Sequence, residues 1–332
     1  MTRDVSFFWI FIIFQYIFFG NFFYEYDIFR GKSDDVIIAA AFFMCYFRFK
    51  IFLNIFVIFL IFLVFIISAW LVFKYENILY WFYLLFCWSI LLFAPKKIEI
   101  NKKNTFLITY IFFLMWYLYL GPSVKSFNID VNVLHIFLLM TVIVLCISGP
   151  FMKIFTTILV SFLSGTRSTS VMISYSFLRS YFFYIVICLY VLGYIFSLIF
   201  LDNNPSNAAR SGLIVNHFLN YTQLSQIEIL FGAGPQAYMN FNLLIDTSIT
   251  FVNSKPKTVD SSLLRMLLEF GLIGTIFLLY FIYKYINSFK LFLLFIICMG
   301  LSNEGMLSIY GPLSLLILKS INHNTPHAKV AK

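Results

Sequence analysis

The sequence predicts an all-α, polytopic membrane protein with about 12 crossings, most of them set by apolar runs of the kind a bilayer core of about 30 Å requires. Three observations carry this. Apolar runs recur along the whole chain, which is 62% hydrophobic and 11% charged, against roughly 25% charged in an ordinary soluble domain. The runs are continuously apolar and do not alternate, which argues for helices and against a closed barrel. The Lys and Arg residues fall in short connections between runs, as membrane topology requires.

In order, the expected spans are 5–23, 36–47, 51–73, 78–94, 105–120, 133–147, 151–164, 169–178, 181–201, 262–283, 289–301 and 305–318. Residues 1–332 read as a single integral membrane domain, with 202–261 as one long polar loop within it. The runs 36–47 and 169–178 are short, since 12 helical residues cover only about 18 Å. They suit re-entrant or shielded positions. The N-terminal run follows Met1-Thr2-Arg3-Asp4 and leads into Gly20-Asn21-Phe22-Phe23. No small-residue cleavage site follows, so it reads as the first span and not as a signal peptide.

Charge fixes the orientation. One side collects Arg3, Arg48, Lys50, Lys96, Lys97, Lys102, Lys103, Lys153, Arg179, Lys284, Lys290, Lys319, Lys329 and Lys332, with only Asp4 and Glu99 as acids. The positive-inside rule then puts both termini in the cytoplasm and the 202–261 loop outside. This distribution also excludes a nucleic-acid partner, despite the net charge of +9. The five cysteines all lie inside apolar runs without metal spacing and read as small buried hydrophobes. No metal or nucleotide motif occurs, so no cofactor is expected.

Candidate chemistry clusters on the outer side. Arg167, in Ser164-Gly165-Thr166-Arg167-Ser168-Thr169, pairs a tight turn with a following helix N-terminus, an anion site in principle; a snorkelling Arg is the alternative. Arg210 lies in a segment that reads as an interfacial helix with Leu213, Ile214, Val215, Phe218 and Leu219, or simply in solvent. Arg265 and Glu269 are four apart and share a helical face. Asp260 precedes that helix as a structural N-cap or a proton acceptor. Gly232 and Gly234 form a turn that lets the backbone approach a ligand or merely reverses the chain. His217, with no acidic or thiol partner in sequence, reads as structural or solvent-facing.

Taken in order, these pieces resemble a known family. They are Ser164-Gly165-Thr166-Arg167-Ser168, the loop Arg210, Leu230-Phe231-Gly232-Ala233-Gly234-Pro235, Asp260-Ser261-Ser262-Leu263-Leu264 and Leu268-Glu269-Phe270-Gly271-Leu272-Ile273-Gly274. The series is similar to the O-antigen and capsule repeat-unit polymerases (Wzy type), in the superfamily of the O-antigen ligases. The resemblance implies a GT-C-like membrane glycosyltransferase in the bacterial inner membrane, with a periplasmic active site. The implied substrate is an oligosaccharide on undecaprenyl diphosphate, with a chain-length regulator and a flippase as partners alongside membrane lipid. Arg167 and Arg210 match the family's arginines and would clamp the diphosphate, with Arg265 beside them. Gly232, Gly234 and His217 would line the substrate, and Asp260 or Glu269 would take the acceptor proton, Asp260 in preference. Where the ligases carry His-Asn, this chain has Asp260-Ser261, which favours polymerase over ligase. A ligase, a lipid-linked oligosaccharide flippase or other transporter, and a non-catalytic scaffold are the competing readings.

Overall fold

The computed structural model describes residues 3–4, 78–93, 98–99, 102–115, 131–164, 168–178, 180–199, 205–234, 237, 261–301, 305–308 and 310–324. The expected spans 5–23, 36–47 and 51–73 lie outside them. The described chain is predominantly helical. Its elements are β1 (Arg3–Asp4), α1 (Ile78–Phe93), β2 (Ile98–Glu99), α2 (Lys102–Met115), α3 (Val131–Ile147), α4 (Pro150–Ser164), α5 (Ser168–Phe177) and α6 (Ser180–Ile199). Then come α7 (Pro205–Thr222), α8 (Gln226–Phe231), α9 (Ser262–Ile286), α10 (Phe289–Phe295) with a π-helical turn Ile296–Leu301, a 3-10 turn Gly305–Leu307, and α11 (Tyr310–Asn324).

Each apolar run from residue 78 onward is thus a helix or contains one. The polar interval 202–261 is not featureless: it opens with α7 and α8. The last run does not start a helix at 305. A 3-10 turn precedes α11, which continues to Asn324.

Two helices form the centre. On α3, residues 136–145 are buried on every side, and α11 is buried from Tyr310 through Leu318. A helix apolar all round belongs inside a bundle. Around them, α2 stacks Phe112 on Phe137 of α3 at 3.6 Å between ring centroids. Tyr110 of α2 and Thr156 of α4 share a 2.6 Å hydrogen bond.

The peripheral helices turn large apolar side chains outward. On α4, Phe151 and Phe162 are 80% and 76% exposed. On α6, Phe182, Leu189, Leu192 and Phe196 are exposed, and on α9 so are Leu272, Ile273, Ile276, Phe277 and Tyr280. Soluble monomers rarely expose contiguous apolar surface on this scale. By length and composition, one described helix, Ser262–Ile286, can cross a membrane, and the other apolar helices are shorter.

The bundle has two chemically distinct ends. At one, lysines lie over aromatic rings: Lys290 over Tyr175 and Phe183 (4.5 and 4.8 Å), and Lys319 over Tyr285 (4.0 Å). Lys290 Nζ also donates to the carbonyls of Tyr175 and Leu178, at 3.4 Å each, closing the C-terminus of α5. The short strands β1 and β2 pair in parallel, and β2 packs on α11. At the other end, Ser261 meets Gly300, Ser262 meets Met306, and the Tyr194 hydroxyl donates to the Leu301 carbonyl at 3.0 Å. Helices α9, α10 and α11 therefore run antiparallel in sequence between the two ends.

Candidate functional site

The site is built on the first turns of α9, at the end away from the lysines. Its N-cap is Ser261, in extended conformation, whose hydroxyl accepts from the Leu264 amide at 3.4 Å. The same hydroxyl donates to the Gly300 carbonyl at 3.2 Å, and the Ser262 hydroxyl accepts from the Met306 amide at 3.1 Å. These bonds pin the start of α9 to the π-helical turn and the 3-10 turn. The cap role that the sequence allows for Asp260 therefore belongs to Ser261. Asp260 itself lies outside the described residues, as does Arg167.

One turn further in, Arg265 Nε donates to Glu269 Oε1 at 2.8 Å, with 3% and 0% of the two side chains exposed. Their i, i+4 spacing makes the pair local, and burial makes it strong only as a pair. Removing either partner would leave an uncompensated charge in a dry site. Glu269 is thus held by Arg265.

Immediately beyond, the helix breaks. Gly271 has φ 67° and ψ −175°, inside what is otherwise a continuous helix. The break ends the helical ladder there, and the Leu268 carbonyl accepts instead from the Ala233 amide at 2.8 Å. Ala233 belongs to the turn after α8, which is stopped by Gly232 at φ 92° and followed by Gly234 at φ 98°. Gly232 and Gly271 face each other backbone to backbone. A Cβ on Gly232 would stand 2.2 Å from the Glu269 carbonyl oxygen, and one on Gly271 would stand 2.3 Å from the Gly232 nitrogen. Only glycine allows this approach and these φ values at once. The Gly232-Ala233-Gly234 turn and the Glu269-Phe270-Gly271 stretch, separate motifs in sequence, are one structural unit. Helix α8 is started by a capping box, Ser225 with Glu228, which satisfies its first backbone amides.

Helix α7 closes the site from the side. It packs on α6 and α9, with its Tyr221, and Leu224 of the following turn, against Leu268. Its buried positions are Leu213, Asn216, His217 and Asn220, a helical stripe whose polar members are unusual in so apolar a chain. His217 is fully buried, not solvent-facing. Asn216 and Asn220 donate to the carbonyls of Gly212 and Asn216, at 3.0 and 2.8 Å. Arg210 stands two turns before His217 on the same helix; its side chain lies outside the described residues.

Sequence reasoning does not single out Asn216 or Asn220, and it places Ser261 and Gly271 within motifs without giving them a role of their own. The first two are legible as polar residues at i, i+4 beside Leu213; for the bend, the local sequence offers Gly271 and Gly274 alike. Among the described residues no three His, Cys, Asp or Glu side chains gather as metal ligands. The chain shows no match to any family model, to any curated protein or to any solved structure with which it was compared.

Proposed function

We propose that the protein is a multi-pass glycosyltransferase of the bacterial inner membrane that polymerises undecaprenyl-diphosphate-linked oligosaccharide units at the periplasmic face. The observation that carries the reading is the buried Arg265–Glu269 pair, set on a broken helix beside the only long polar interval of the chain. Ionisable groups in an apolar bundle are costly and default to function. Two further features support it. The outward faces of α4, α6 and α9 suit lipid. The lysines gather at the end opposite the pair, as expected if the basic end is cytoplasmic and the site periplasmic.

The chemistry asks little of a cofactor. An acceptor hydroxyl oxygen attacks the anomeric carbon of the donor sugar, the bond from that carbon to the diphosphate oxygen breaks, and the lipid diphosphate leaves as an anion. Asp260 takes the hydroxyl proton, and Arg167 and Arg210 hold the leaving diphosphate. Arg265 and Glu269 fix the geometry between them, with Gly232 and Gly234 allowing close backbone approach. About 12 crossings, a GT-C-like architecture and cytoplasmic termini belong to the same reading.

The test is the polysaccharide of a host carrying Arg210→Ala or Asp260→Asn. A polymerase defect leaves single repeat units on the lipid anchor in place of a ladder. Lipid-linked units trapped on the cytoplasmic side would instead make the chain a flippase. Polymer retained on its carrier, with none on the anchor, would make it a ligase.

A further inference from the structure

We infer that α8 and the glycine turn after it lie within the hydrocarbon of the leaflet at the periplasmic end, with membrane lipid as their partner, and not in the aqueous loop. The inference rests on the reading of the chain as membrane-spanning. Helix α8 buries none of its residues against protein. Ile227, Leu230 and Phe231, at i, i+3 and i+4, form one apolar stripe, and Ile227 and Phe231 are 56% and 48% exposed. A helix in water would turn such a stripe inward.

The stripe is continuous with the outward face of α9. The Leu230 carbonyl and the Gly232 amide lie against Gly271, and Leu272 and Ile273, the next two residues of α9, are themselves exposed. Whatever covers the second half of α9 therefore meets α8 as well. Non-helical backbone is tolerated at membrane depth only where its polar groups are satisfied by protein. Here Gly232 donates to the Glu228 carbonyl at 2.7 Å and Ala233 to the Leu268 carbonyl at 2.8 Å, and Gly232 and Gly234 are buried. The charged member of α8, Glu228, sits in its first turn and is bound to Ser225, towards the polar connection from α7. Length agrees: Gly271 lies ten residues after Ser261, about 15 Å along a helix, which reaches into the hydrocarbon layer from its edge.

The experiment places an environment-sensitive fluorophore on single cysteines in the full chain with its native cysteines replaced. The positions are Ile227→Cys, Phe231→Cys, Ile276→Cys and Gln223→Cys, in phosphatidylcholine vesicles. Quenching by spin-labelled lipid at 227 and 231 matching that at 276, with aqueous iodide quenching only 223, is expected. Iodide quenching at 227 and 231 with lipid quenching at 276 would overturn the inference and leave the membrane reading intact. Iodide quenching at 276 as well would overturn both. Hydroxyl-radical footprinting of the unsubstituted chain in the same vesicles gives the answer without substitution. Phe231 is expected to be protected to the same degree as Phe277, and oxidation of Phe231 alone would overturn the inference.

Discussion

Removing the carboxylate of Glu269 strands a guanidinium that is almost wholly buried. Glu269→Ala is therefore expected to destabilise by about 3–5 kcal/mol, read as a lower melting temperature in detergent. The double change Arg265→Met, Glu269→Leu is expected to restore most of that stability, because it removes both charges, while abolishing polymer formation. A double variant that is stable and still makes a normal ladder would show that the pair serves only the fold. The glycines differ in the same terms. Gly271→Ala forces a side chain into a left-handed backbone at about 1–3 kcal/mol and drives its Cβ into the backbone of α8. Gly193→Ala, on α6 with open space around it, is expected to stabilise by about 0.5–1 kcal/mol. Thermal melts of the two variants should move in opposite directions.

At the scale of elements, two ties are open to test. Lys290 ends α5 by hydrogen bonds to its last carbonyls and by contact with two rings. Lys290→Met is expected to loosen α5, seen as faster amide exchange over 174–178 without change at α9. Ser261→Ala removes a cap and the bond to Gly300, at about 0.5–2 kcal/mol. The helices themselves were legible because each follows from the local run of apolar residues: 78–94, 133–147, 151–164, 169–178 and 181–201 all fall within two or three residues of the observed helices. The i, i+4 pairing of Arg265 with Glu269 was legible for the same reason. The bend was not. Residues 262–283 read as one apolar helix, and both Gly271 and Gly274 are candidates for a break. What selects Gly271 is the approach of Gly232, a contact between positions far apart in sequence. The polar interval reads as a long loop carrying an interfacial helix around Arg210, and α7 forms there; three of the four side chains in its buried stripe, Asn216, His217 and Asn220, are polar. Its amides satisfy carbonyls of their own helix, which hydropathy does not register.

For the whole molecule, the apolar faces of α4 and α6 set the solvent. Ile158→Arg on the exposed side of α4 is expected to cost about 2.5–3.5 kcal/mol of insertion free energy. It should reduce the carbonate-resistant membrane fraction, while the same change at Gln223 should not. The bend in α9 has a consequence at this scale too. A straight helix of 25 residues would be about 37 Å long, some 7 Å more than the hydrocarbon of an average bilayer. A rigid rod of that length would have to tilt or thicken the membrane around it. Divided at Gly271, the helix has 15 residues beyond the break, which in the membrane-spanning reading are the part that faces lipid, with α8 at their side. In that reading, hydrophobic mismatch is relieved inside the protein, and the surrounding lipid need not deform to meet it.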